Sequence, residues 1–139
     1  MEKIKAKKAL GQNFLIDEEA LSDIASAISI QDKNIIEVGP GYGALTDYII
    51  NQSPLSLDLV ELDTDMIKIL EEKYQNQKLT INHIDVLQFH PAYDKYSVIA
   101  NIPYYITSPI LFHFLYETQN KPEEMVIMMQ KEVGEKIME

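Results

Sequence analysis

The sequence predicts an α/β protein, a parallel sheet covered on both faces by helices in a three-layer sandwich. Three observations carry this. Short apolar strands alternate with amphipathic helical stretches from Asn34 to Met129. The connections have the length of crossovers rather than hairpins, which means parallel pairing. The first strand also runs straight into a Gly/Pro cluster that opens a helix.

Taken in order, Asp17 is placed to cap a first helix, with Leu21, Ile24, Ala25 and Ile28 at helical spacing behind it. Asn34 to Gly39 reads as a short buried strand, residues 44–52 as a helix, and residues 55–62 as a second strand. Met66, Ile67, Leu70 and Tyr74 mark the next crossover helix, and residues 79–84 alternate as a third strand. Residues 96–100 form a fourth strand. Thr107 or Ser108 can cap a following helix with Pro109 in its first turn and Ile110, Leu111, Phe114 and Leu115 on its buried face. Met125 to Met129 is a fifth strand, its methionines suited to burial, and Glu132 opens another helix. In the common doubly wound order the first and fourth strands are neighbours, and ligands bind beyond their carboxyl ends. The segments after Gly39 and from Asn101 onward are therefore expected to share one crevice.

Composition narrows the function. A chain of 139 residues with 46% apolar and 24% charged residues suits one globular domain, and no apolar run approaches the roughly 20 residues that span a bilayer. The basic start lacks the apolar stretch of a secretion signal, and the absence of cysteine removes disulfides and thiolate zinc sites, so a cytoplasmic setting is expected. His83, His90 and His113 have no metal-ligand spacing and read as structural or surface residues. The net charge is −10, from 12 lysines and 22 acids, and residues 1–8 alone carry +3. On charge alone, nucleic acid is a poor partner except at that basic end.

Two segments can carry chemistry. Glu37-Val-Gly39-Pro-Gly41-Tyr-Gly43-Ala44 lies between strand and helix, where glycines let a ligand approach the main chain. Glu61, at the next strand end and 22 residues beyond Gly39, is placed to accept both hydroxyls of a ribose. Together they indicate an adenosine-containing cofactor, which leaves a nicotinamide-dependent oxidoreductase as an alternative. Asp85 after the third strand can accept from the adenine amine or serve as a plain helix cap.

Asn101-Ile102-Pro103-Tyr104 is more specific. An aromatic amine is a poor nucleophile because its lone pair is delocalised into the ring. Acceptors at the Asn101 side chain and the Ile102 carbonyl can bind its two N–H groups and favour a pyramidal nitrogen, which is stabilisation by fixed dipoles. Pro103 stiffens the turn, and Tyr104 offers a face to a flipped-out base, worth roughly 1–3 kcal/mol. A proline turn with a buried aromatic is the plainer alternative.

Lys8-Ala-Leu-Gly-Gln-Asn-Phe-Leu15, Glu37 to Thr46, Glu61-Leu-Asp63, Asn101-Ile-Pro-Tyr104 and Gln130-Lys-Glu-Val133 run the length of the chain. In that order they resemble the ribosomal RNA adenine N6,N6-dimethyltransferase family, which includes the bacterial small-subunit enzymes and the erythromycin-resistance methylases; the small-subunit group is the nearer likeness. The resemblance implies a Rossmann-like S-adenosylmethionine-dependent methyltransferase fold, truncated after the fifth strand. Residues 1–139 would be an incomplete N-terminal catalytic domain, without the family's later strands and helical C-terminal domain.

It further implies S-adenosylmethionine held by Asn13 and Leu15 near its methionine end, by Gly39 and Gly41, by Glu61 at the ribose and by Asp85 at the adenine. Asn101 would stand between cofactor and target amine. S-adenosylhomocysteine is the product, and no metal is required. The implied partner is ribosomal RNA within the immature small ribosomal subunit, acted on by a monomer that dimethylates two adjacent adenosines during ribosome biogenesis, away from any membrane. Lys3, Lys5, Lys7 and Lys8 could meet RNA phosphates. Tyr105 departs from the family's frequent Asn and leaves substrate detail open.

Overall fold

The computed structural model describes residues 18–103 and 106–130. The described elements are α1 (Glu18–Ala27), β1 (Asn34–Val38), α2 (Ala44–Asn51), β2 (Ser56–Glu61), α3 (Thr64–Lys73), β3 (Thr80–His83), a 3-10 turn (Val86–Gln88), β4 (Ser97–Pro103), α4 (Thr107–Phe112), a π-turn (His113–Glu117) and β5 (Glu124–Gln130). All neighbours pair in parallel in the order β3-β2-β1-β4-β5. The α/β reading and the adjacency of β1 and β4 both hold.

Strands buried on both faces need apolar residues at successive positions, and β1 and β4 supply them. One face buries Ile35, Leu57, Leu59 and Ile99 against α1, α2 and α3, through Ile24, Leu45, Ile49 and Leu70. The other buries Ile36, Val60, Val98 and Ala100 against Ile110 and Phe114. The sheet is thus the middle of three layers. No helix among the described residues is long and apolar enough to cross a membrane.

The strand ends make the crevice. β1 stops at Val38, opposite Ala100, whereas β4 continues through Asn101, Ile102 and Pro103 paired only with Met128, Met129 and Gln130. On its β1 side, the end of β4 has no strand partner and lies instead beside Gly39, where the chain leaves β1.

Three expectations are corrected. Asn101-Ile102-Pro103 is the last part of β4 and not a loop after it, because pairing with β5 carries the main chain through Asn101 and Pro103, which disfavour strands on their own. α4 starts at Thr107 with Ile106 in the capping position, and no side chain caps it. Leu115 is 43% exposed although helical spacing puts it inside. The π-turn adds a residue to that turn of helix, so Phe114 stays inside as expected while His113 takes the inward place instead of Leu115. Asp17 and the segment after Gln130 lie outside the described residues.

Candidate cofactor-binding site

A cleft of about 410 Å3 opens at the carboxyl ends of the strands. Its floor includes Val38 and Val60, and its rim brings together Gly39, Gly41, Glu61, Asp85, Asn101 and Ile102. Six positions singled out in the sequence therefore share one crevice. Asn13, Leu15 and Tyr104 lie outside the described residues, and the Pro103 side chain is not described.

The glycine loop is shaped by backbone conformation. Gly39 and Gly41 have φ of +72° and +59°, a region that L side chains avoid. A Cβ on Gly39 would lie 3.0 Å from the Asn101 carbonyl oxygen, so the loop and the end of β4 are packed main chain to main chain. The Gly39 amide donates to the Val60 carbonyl at 3.1 Å, tying the start of the loop to β2.

Glu61 ends β2 half-buried. Its Oε2 accepts from the Asp63 amide at 3.1 Å. Burial raises its carboxyl above the usual range, opposed by the amides of Asp63, Gly41 and Leu62, which favour the ionised form. Asp63 caps α3, accepting from the amides of Asp65 at 2.8 Å and Met66 at 3.2 Å. The cap fixes Met66 and Leu62 as cleft wall.

Of the two roles considered for Asp85, the structure shows the cap and leaves the residue at the cleft. Its Oδ1 accepts from the Leu87 amide at 2.9 Å and so caps the 3-10 turn, while the residue lines the cleft beside Ile84 and Val86. An apolar slot with a carboxylate at its edge fits an adenine, and the carboxylate of Glu61 next to it fits a ribose. Bare main chain at Gly39 and Gly41 leaves room for the remainder of such a molecule. Among the described residues no group of three or more His, Asp or Glu could hold a metal ion.

Behind the glycine loop lies Glu37, wholly buried. Thr46 Oγ1 donates to its Oε1 at 2.5 Å, and its Oε2 has no partner among the described residues. Burial pushes its carboxyl up to about 8; the Thr46 bond opposes this, Asp47 and Glu61 add to it, and Lys73 lowers it. The sequence showed Glu37 only as the first letter of a motif. Its protonation follows from burial on the α2 face of the sheet, which alternation within β1 could have suggested.

Of the histidines, His83 and His90 are exposed. His113 is fully buried, its Nδ1 2.8 Å from Glu117 and its Nε2 2.7 Å from the Phe89 carbonyl. It braces the π-turn against the segment after the 3-10 turn and is structural. Ile106 and Ile110 complete the apolar wall, and both were missed as site residues because nothing in their spacing separates a cleft wall from a core.

The sequence model of a family described as ribosomal RNA adenine dimethylase matches residues 3–139. A curated relative, ribosomal RNA small subunit methyltransferase A of Pelagibacter ubique, is 40% identical over 96% of this chain and 53% of its own length. The crystal structure of the 23S rRNA methyltransferase ErmE superposes with a TM-score of 0.69 at 27% identity, covering 82% of this chain and 47% of that one. A dimethyladenosine transferase from Plasmodium falciparum gives a TM-score of 0.68 at 26% identity, covering 91% of this chain and 46% of that one. The chain spans about half the length of the curated relatives it matches.

Proposed function

Because the chain belongs to the ribosomal RNA adenine dimethylase family, we propose that it carries the S-adenosylmethionine-binding and methyl-transferring part of an enzyme that methylates N6 of adenine in ribosomal RNA. The finer reading is dimethylation of two adjacent adenosines in the immature small subunit, by a cytoplasmic monomer. The observation that carries the proposal is the contact of the glycine loop with Asn101, 3.0 Å from a Cβ position on Gly39 to the Asn101 carbonyl oxygen. It brings the glycine loop and Asn101 into one crevice, which supports a cofactor surface beside an amine-binding residue, an arrangement a nicotinamide oxidoreductase has no use for.

When bound, S-adenosylmethionine supplies an electrophilic methyl group on sulfonium sulfur. The residues of the chain bind and orient. Glu61 accepts the ribose hydroxyls, Asp85 accepts the adenine amine with the oxygen not engaged by Leu87, and Gly39 and Gly41 admit the cofactor against bare main chain. Asn13 and Leu15 are assigned to its methionine end. The Asn101 side-chain oxygen and the Ile102 carbonyl accept the two N–H groups of the target amine, directing its lone pair toward the methyl group. Pro103 fixes the direction of the chain there, and Tyr104 stacks on the target base. The proton leaves after methyl transfer, so no general base is needed.

The test is transfer of tritiated methyl from S-adenosylmethionine to small-subunit RNA or immature subunits, using the protein with its full-length parent sequence. Label on adenine N6 is expected, and label elsewhere or none refutes the reading. Asn101→Ala should leave S-adenosylhomocysteine binding nearly intact and lower turnover by about 10²–10³, the effect of removing one preorganised dipole. Equal losses in binding and turnover would contradict its role.

A further inference from the structure

The glycine loop is gripped on the side away from the cleft by residues that do not line it. Lys73 and Tyr74 stand at the C-terminal end of α3, 31 residues beyond the loop atoms they meet. The Lys73 ammonium donates to the Tyr42 carbonyl at 2.9 Å and to Asp47 Oδ2 at 3.1 Å. It also lies 5.3 Å from the centre of the Tyr74 ring. The Tyr74 hydroxyl is 2.6 Å from Asp47 Oδ1 and 3.0 Å from the Gly43 carbonyl.

The donor inventory separates the two residues. A hydroxyl has one proton, and its shorter contact is to Asp47; the Gly43 carbonyl is already served by the Asp47 amide at 2.8 Å. An ammonium has three protons and can serve Tyr42 and Asp47 together. Tyr74 thus orients Asp47, Asp47 orients Lys73, and Lys73 holds the loop. The same packing explains the third glycine. Gly43 has φ +94°, and a Cβ there would run into the Tyr74 hydroxyl and come within 3.0 Å of the Lys73 ammonium. Gly41 lines the cleft, whereas Gly43 makes room for α3.

We propose that Lys73 is a positioning residue that sets the curvature of the glycine loop from outside, and with it the affinity for the methionine half of the cofactor. The proposal rests on the cofactor reading above. The nucleoside half is assigned to Glu61, Asp85 and the apolar slot, none of which Lys73 touches; the loop reaches that half only through the Gly41 amide beside Glu61, so the nucleoside half should respond less to the loss of Lys73.

The test is calorimetric titration of the 139-residue chain with S-adenosylhomocysteine and with 5′-methylthioadenosine, which keeps the nucleoside and sulfur but lacks the amino-acid tail. For Lys73→Met, an exposed change, the affinity for S-adenosylhomocysteine should fall about 3–10-fold, as for an exposed charged hydrogen bond, while 5′-methylthioadenosine binding stays within about twofold. Lys73→Arg should recover most of the loss. Tyr74→Phe keeps the ring in the core, removes only the hydroxyl, and should show the same selectivity. Unchanged S-adenosylhomocysteine binding in Lys73→Met, or parallel losses for both ligands with a lowered melting temperature, would overturn the proposal. A wild-type chain that binds neither ligand would instead refute the cofactor reading beneath it.

Discussion

Replacing Glu37 by Gln should remove a pH dependence of stability that the wild-type chain cannot avoid. The carboxyl is fully buried behind the glycine loop, one oxygen bound by Thr46 and the other without a partner among the described residues. Its value is pushed up to about 8 from the ordinary 4.5, chiefly by burial. Between those values the folded chain keeps the proton and the unfolded chain has lost it. Stability from this group is therefore complete below pH 4.5 and falls as pH rises, by about 1.4 kcal/mol per unit, until the folded group ionises near 8. From pH 5 to pH 7.5 the loss integrates to about 3 kcal/mol, a large share of the roughly 5–15 kcal/mol that holds a domain together. Gln has nearly the shape of the protonated acid and does not titrate. Urea unfolding followed by circular dichroism, on both proteins across this range, cancels the other titrating groups. The stability difference should move by about 3 kcal/mol in favour of the variant. A difference that stays constant with pH, or moves the other way, refutes a buried neutral Glu37.

Gly39→Ala should cost about 1–2 kcal/mol of stability through its φ of +72°. It should also weaken S-adenosylhomocysteine binding more than tenfold, because the added carbon crowds a main-chain carbonyl that has little room to retreat; near-native affinity by calorimetry would show that close approach is not needed there. The raised carboxyl of Glu61 gives cofactor affinity an acid limb: binding is full where the carboxylate is ionised, and weakens as pH falls through a midpoint above 4.5. Glu61→Gln should flatten that limb, and a wild-type affinity independent of pH down to 4.5 would count against ribose recognition by Glu61. If RNA meets this chain through the four lysines of residues 1–8, the logarithm of RNA affinity should fall with the logarithm of salt concentration with a slope no steeper than about −3. Alanine at Lys3, Lys5, Lys7 and Lys8 should abolish most of that slope, and an unchanged slope would put the contacts elsewhere.

The sheet was legible because each strand is short and separated by a crossover, with β1 and β4 apolar on both faces, so order and direction follow from connection length and handedness. The site was legible for a related reason. Gly39 and Asn101 are 62 residues apart, yet they meet because they stand at the ends of adjacent parallel strands. What the sequence hid depends on partners that leave no periodic trace. Asn101 and Pro103 have poor strand propensity, and only β5 alongside keeps them extended. Leu115 obeys helical spacing, and only the π-turn at His113 turns it outward. Lys73 reads as an ordinary charged residue near the end of a helix, and its role appears when α3 folds back against Tyr42.

Net charge is a weak argument against the proposed RNA partner, and the reason lies in where several of the acids sit. Glu37 is buried and protonated near neutrality, so it contributes little field there. Asp47 is neutralised by Lys73 at 3.1 Å, and Asp58 accepts the Tyr93 hydroxyl at 2.8 Å. Asp63 and Asp85 serve as caps, each placed where the positive end of a helical turn offsets its charge. Glu61 and Asp85 also face a cleft whose proposed occupant offers hydroxyls and an amine, which carboxylates bind as acceptors. Acids placed in these ways add less to the field at the cleft than their number suggests. Glu61 and Asp85 still repel a polyanion from this rim, so an RNA chain approaching Asn101 would come from the side of the cleft away from them.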